Sequence, residues 1–135
     1  MAYKRILLKI SGESLAGDKN YGISTSMLQY YAEEIKSVYD KHVQTAIVIG
    51  GGNIFRGLQG ADVGFDRLQG DYMGMLATII NSMALQTQLQ SMGIKAVVLS
   101  GLAIDPLCEK MSSQGAIHYL EAGYVVIIGG GTGNP

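Results

Sequence analysis

Short apolar runs alternate along the chain with longer segments whose apolar residues recur every three or four positions. Lys4 to Ile10 is an apolar run bounded by Ser11-Gly12, as suits a buried strand. A polar loop follows to about Ile23. Ser24-Thr25-Ser26 offers helix caps, and Met27, Tyr30, Tyr31, Ala32, Ile35 and Val38 then recur at helical spacing. Thr45 to Ile49 predicts a second strand, ended by Gly50-Gly51-Gly52. Ile54 to Gln69 contains three glycines and reads mostly as loop. A long helix is expected from about Asp71 to Met92, closed by Gly93. Lys95 to Leu99 reads as a third strand, a loop with Pro106 follows, and Ser113 to Glu121 reads as a helix. Tyr124 to Ile128 is the fourth strand, leading into a glycine-rich end from Gly129 to Pro135.

Strands that are continuous apolar runs, alternating with helices, predict a parallel sheet covered on both faces. The expected fold class is α/β, a three-layer αβα sandwich. There is no internal repeat, linker or low-complexity tract. The last residues follow directly on a strand and a glycine loop, where an open sheet would normally continue. Residues 1–135 therefore read as the first part of a larger fold.

The predicted long helix changes the picture in one respect. Tyr72 to Ile94 carries no charge, yet Asn81, Gln86, Gln88 and Gln90 interrupt it, so it is not a membrane span. Its apolar residues, from Met73 to Met92, cover most of the circumference. Such a helix should be buried on more than one side, either within one chain or with a second subunit as the other side; the expectation is a homo-oligomer.

Composition narrows the function classes. Ten Lys and Arg against eleven Asp and Glu leave a formal charge of −1, which argues against a protein that coats nucleic acid or an acidic membrane. Apolar residues are 47% and charged residues 16%, which excludes disorder as the main state. The one cysteine, Cys108, reads as a small buried apolar residue. It cannot form an internal disulfide, and no Cys/His cluster supplies a zinc site. His42 and His118 are isolated. No secretion signal is evident at the start, so a cytoplasmic protein is expected.

Glycine, at 19 of 135 residues, is the outlier, and its clusters follow predicted strands. In an open parallel sheet, ligands bind beyond the carboxyl ends of strands. Three loops share that edge: Lys9 to Glu13, Gly50 to Gly57, and Gly129 to Pro135. Glycines let backbone N–H groups approach an anion, and Lys9 and Arg56 add full charges. Each cluster alone reads equally as a tight strand-to-helix turn; three together predict a phosphate-binding edge. Gly52 and Gly57 have Walker spacing, but Leu58 stands where lysine is needed, and no GxGxxG follows a strand.

At these residues the sequence resembles a known family. Lys4 to Glu13, Val48 to Gly57, Gly70-Asp71-Tyr72-Met73-Gly74-Met75-Leu76-Ala77-Thr78 and Gly131-Thr132-Gly133-Asn134-Pro135 resemble the bacterial uridylate (UMP) kinases, the nucleotide members of the amino acid kinase superfamily. The first two elements are widespread in the superfamily, whereas the last two are specific to the uridylate kinases. The resemblance covers the whole chain in order. It implies transfer of the ATP γ-phosphate to UMP with Mg²⁺, in pyrimidine nucleotide biosynthesis. It also implies a homohexamer, often regulated by GTP and UTP, with no nucleic-acid or membrane partner.

The resemblance also implies residue roles. Lys9 looks like the lysine beside the transferred phosphoryl group, and Lys9, Ile10, Ser11 and Gly12 look like the ATP phosphate loop. Gly52 and Arg56 resemble the ATP side, with Lys9 and Arg56 as the catalytic cations. Gly51 resembles the glycine that meets the UMP phosphate. Asp71 matches the aspartate that binds the UMP ribose, and Thr132, Gly133, Asn134 and Pro135 match the start of the stretch that closes over UMP. No protein side chain is matched to the metal. Read without the family, Asp71 is an ordinary helix N-cap and Lys9 reads equally as a surface lysine, while a structural salt bridge is the lesser alternative for Arg56. Glu13 and Asp105 are left as loop residues, because a phosphate acceptor needs no base.

Family members continue past Gly-Thr-Gly-Asn-Pro, and the resemblance puts the ATP base and ribose site in that later part. Gly129-Gly130 also replaces the Ser-Ala common at this point. Residues 1–135 are thus expected to be the N-terminal, UMP-binding part of an amino acid kinase domain. Two alternatives stand beside a UMP kinase. One is a related kinase acting on a carboxylate substrate, which would give Asp71 no ribose to bind. The other is a non-catalytic module that self-associates through residues 71–92 and at most binds UMP.

Overall fold

The computed structural model describes residues 4–54 and 67–130. The elements in chain order are β1 (Arg5–Ile10), α1 (Thr25–Tyr39), β2 (Gln44–Ile49), α2 (Arg67–Ser91), β3 (Ala96–Ser100), β4 (Glu109–Lys110), α3 (Ser113–Glu121) and β5 (Val125–Gly129). The five strands form one sheet in the order β1-β2-β5-β3-β4, and every neighbouring pair is parallel.

Side-chain alternation along the strands divides the core in two. Ile10, Ile47, Ile49, Ala96, Val98, Val125 and Ile127 face α1 and α2, where they pack with Leu28, Ala32, Ile35, Leu85 and Leu89. Ala46, Leu99 and Val126 face the other way, against Ala116 and Leu120 of α3. The result is the expected α/β three-layer sandwich. α1 starts where its cap predicts, and α3 has a cap that the sequence reading did not name. Ser24 Oγ accepts from Met27 N at 3.3 Å, and Ser112 Oγ accepts from Gly115 N at 3.0 Å.

The structure departs from the sequence expectations in several places. β1 is an edge strand, not a buried one: Arg5, Leu7 and Lys9 are exposed, and Leu7 keeps 56% of its surface. The polar loop after β1 contains two 3-10 turns, Gly12–Leu15 and Gly17–Lys19. β4 has no counterpart in the sequence reading. α2 begins at Arg67, one turn before Asp71, because Gly70 is accommodated within the helix. Asp71 is therefore not its N-cap. Cys108 is half-buried at the margin of the larger core. The loop read from Ile54 to Gln69 lies largely outside the described residues, as do Arg56, Thr132, Gly133, Asn134 and Pro135.

α2 buries Ala77, Ile79, Leu85 and Leu89, but Leu68, Tyr72, Leu76 and Ile80, spaced four apart, stay 45–64% exposed. Among the described residues, nothing covers this second side of the helix. Among the described residues, no helix is long and apolar enough to cross a membrane.

Candidate functional site

The parallel order sets the carboxyl ends of β1, β2, β5 and β3 side by side. Ser11-Gly12, Gly50-Gly51-Gly52, Gly129-Gly130 and Ser100-Gly101 therefore form one continuous edge. Backbone bonds tie these loops to each other: Gly50 N donates to Ile10 O at 2.9 Å, and Gly101 N to Gly129 O at 3.1 Å.

Glycine is required here by contact. A Cβ on Gly12 would stand 2.6 Å from Gly52 N and 2.8 Å from Gly50 O, so the first two loops touch through their backbones. Ser11 Oγ accepts from Ser14 N at 3.3 Å and caps the 3-10 turn, which fixes the path of Gly12. Glu13 folds back over Gly52: a Cβ there would meet the Glu13 carboxyl carbon at 2.8 Å. Ile10 points into the core beneath α1 and α2, and alternation puts Lys9 on the opposite face, exposed at the strand end.

α2 supports these loops from below. Gly51 packs against Ala77 and Thr78. Thr78 Oγ1 accepts from Gly130 N at 2.6 Å while donating to Met75 O at 2.6 Å. Ser82 Oγ lies against Gly129, and Ser100 Oγ against Gly130. Asn81 donates to Gly50 O at 2.8 Å. The sequence analysis gives no role to Asn53, Thr78, Asn81, Ser82 or Ser100: Asn53 and Thr78 stand inside the resembling segments, and Asn81, Ser82 and Ser100 show only as polar residues in or beside apolar stretches.

Asp71 is exposed. It lies seven residues before Thr78, two helical turns on the same face and about 10 Å along the axis. Gly74 lies between them, and an added Cβ there would meet nothing within 4 Å. Among the described residues, an open helix face thus leads from the Gly51 contact to a carboxylate. That arrangement can hold an anionic group at the glycines and a hydroxyl-bearing group at Asp71.

The structure thus brings Ser11, Gly12, Gly51 and Gly52 together, with Lys9 at the same strand edge and Asp71 along α2. Two tyrosines titrate above their ordinary range, Tyr119 through its hydrogen bond to Glu109 and Tyr30 through the charge of Glu34; neither is among these residues. A cavity of about 370 Å³ lined by Tyr39, His42, Gln44 and Tyr124 opens at the opposite, amino end of the sheet and contains none of them. Among the described residues, no three His, Cys, Asp or Glu side chains could together hold a metal ion.

Comparison with known proteins gives a consistent result. The model of the amino acid kinase family matches residues 4–135. A uridylate kinase of Bacteroides thetaiotaomicron is 57% identical over 133 residues, covering 98% of this chain and 56% of that protein. One from Porphyromonas gingivalis is 54% identical over 134 residues, with 99% and 56% covered. The chain spans a little over half the length of these curated relatives. Among solved structures, UMP kinase from Bacillus anthracis superposes with a TM-score of 0.90 at 40% identity, over 98% of this chain and 55% of that one. Aspartate kinase from Synechocystis, at 16% identity and a TM-score of 0.67 over 91% of this chain and 21% of that one, shares the fold.

Proposed function

The chain belongs to the amino acid kinase family, and from that premise we propose that it is the acceptor-binding part of a UMP kinase, which transfers the ATP γ-phosphate to UMP. The observation that carries the reading is the open face of α2 between Gly51 and Asp71, in a chain 57% identical to a uridylate kinase. A related kinase acting on a carboxylate would have no ribose for Asp71.

In the proposed reaction, an oxygen of the UMP phosphate attacks the γ-phosphorus of ATP. The new P–O bond forms as the bond to the β-phosphate oxygen breaks, giving UDP and ADP. The attacking oxygen is already an anion, so no general base is required. Positioning and charge neutralisation carry the catalysis. Gly51 N–H holds the UMP phosphate, and Asp71 accepts from the ribose hydroxyls. Ser11, Gly12 and Gly52 face the ATP phosphates. Lys9, with Arg56, offsets charge that builds on the transferred group. Thr132 to Pro135 close over UMP. Mg²⁺ supplies further neutralisation when it arrives with ATP; no cluster in the described residues is assigned to it.

The family resemblance puts the adenosine site in the part of the relatives that this chain does not match. The 135-residue chain is accordingly expected to bind UMP with little or no turnover. Calorimetric titration with UMP, beside a coupled assay for ADP release, tests both halves. UMP binding without ADP release is expected. ADP release at an ordinary enzyme rate would overturn the claim about the chain, and failure to bind UMP would overturn the acceptor assignment.

A second reading concerns assembly. The exposed stripe Leu68, Tyr72, Leu76 and Ile80 favours self-association through α2 as a step towards a homo-oligomer.

A further inference from the structure

Asn53 and Asn81 are the two buried amides of the glycine edge, 1% and 0% exposed. They face each other and exchange two hydrogen bonds. Asn81 Nδ2 donates to Asn53 Oδ1 at 2.7 Å, and Asn53 Nδ2 donates to Asn81 Oδ1 at 3.1 Å. Each amide has one N–H left, and each gives it to a glycine carbonyl: Asn81 to Gly50 O at 2.8 Å, Asn53 to Gly22 O at 2.7 Å. Turning either amide over would set its oxygen against a carbonyl oxygen. The arrangement therefore has one orientation only.

The pair joins three segments distant in sequence. Gly22 N returns a bond to Asn53 O at 3.0 Å, which fixes the loop that follows the 3-10 turns. Gly12 leans on the same amides, since a Cβ there would stand 2.7 Å from Asn53 Oδ1. Asn81 fixes the Gly50 carbonyl to α2.

That last contact has a chemical consequence. In a trans peptide the C=O and the following N–H point in opposite directions. Holding Gly50 O against Asn81 therefore turns the Gly51 N–H away from the amide pair. Three consecutive glycines let a phosphate approach, but they also leave the Gly50–Gly51 peptide free to rotate. The Asn81 bond selects one of its orientations.

We propose that Asn53 and Asn81 are positioning residues: their amide pair locks the Gly50–Gly51 peptide so that the Gly51 N–H is presented to the acceptor phosphate. The proposal rests on the reading of Gly51 as the UMP phosphate contact.

The test compares wild type, Asn81→Ala and, as a control for general destabilisation, Ile35→Val on the buried face of α1. Uridine and UMP are titrated in parallel by NMR, since they differ only in the phosphate. Amide exchange of Gly22 and Gly50 is followed against Ile127 in β5. In Asn81→Ala, UMP affinity should fall at least about tenfold towards that of uridine, with uridine unchanged. Exchange at Gly22 and Gly50 should accelerate far more than at Ile127. Ile35→Val should lower the melting temperature and leave the UMP-to-uridine ratio within about twofold. Should Asn81→Ala not fold, Asn81→Ser gives the same comparison. A folded Asn81 variant with an unchanged UMP-to-uridine ratio overturns the proposal. If wild type binds no UMP, the functional reading fails on its own. The exchange data then decide the positioning role, and equal acceleration at all three amides ends it.

Discussion

Gly51 approaches Ala77 so closely that a methyl group on Gly51 would stand 2.8 Å from the Ala77 Cβ and 2.9 Å from Thr78 N. The loop after β2 and the middle of α2 are thus held in contact by the absence of one side chain. Gly51→Ala must push the loop off the helix, a form of overpacking that costs about 1–3 kcal/mol. Denaturant unfolding should show that loss. Calorimetry should show weaker UMP binding as the Gly51 N–H moves.

Gly74 gives the opposite expectation. It lies in the helix interior with open space before its Cα. Gly74→Ala should therefore stabilise the fold by about 0.5–1 kcal/mol through helix propensity. The same methyl group would occupy the face between Gly51 and Asp71, so UMP affinity should fall while the melting temperature rises. Stability and binding moving in opposite directions would mark this face as ligand space.

Asp71→Asn separates the nucleoside contact from the fold. Asp71 is exposed on α2 and is not its N-cap, so the melting temperature should hardly change. UMP affinity should fall by about tenfold or more, the size of one charge-assisted hydrogen bond. Binding of inorganic phosphate should be unaffected. Equal UMP affinity in the variant would remove Asp71 from the site.

The exposed stripe on α2 predicts an association that can be broken without touching the glycine edge. Leu76→Lys places a charge in the middle of Leu68, Tyr72, Leu76 and Ile80. Analytical ultracentrifugation should show concentration-dependent association of the wild-type chain and a monomer for the variant. A wild-type monomer at all concentrations would contradict this reading.

The sequence shows the elements better than it shows their connections. The strand cores, the cap at Ser24 and the span of α3 are legible because they depend on local pattern. β4 is not. Glu109-Lys110 has no strand periodicity and is extended only because it pairs with Leu99-Ser100. The exposure of β1 was hidden because an apolar run does not reveal which strand lies at an edge. Three glycines make Ile54 to Gln69 read as loop, so the first turn of α2 is not legible. The glycine loops and Asp71 are visible as motifs, whereas the Asn53–Asn81 pair is not. Its members are 28 residues apart, and Asn81 is legible only as a polar interruption in an apolar helix.

The central claim is that these residues fold around an acceptor site for UMP. Thermal unfolding of the 135-residue chain with excess UMP, and with CMP in its place, tests it most directly. A ligand that binds only the folded state adds about 2.7 kcal/mol at a hundred times its dissociation constant. The account predicts one cooperative transition, moved upward by UMP and unmoved by CMP. A cooperative transition that UMP leaves in place would contradict it.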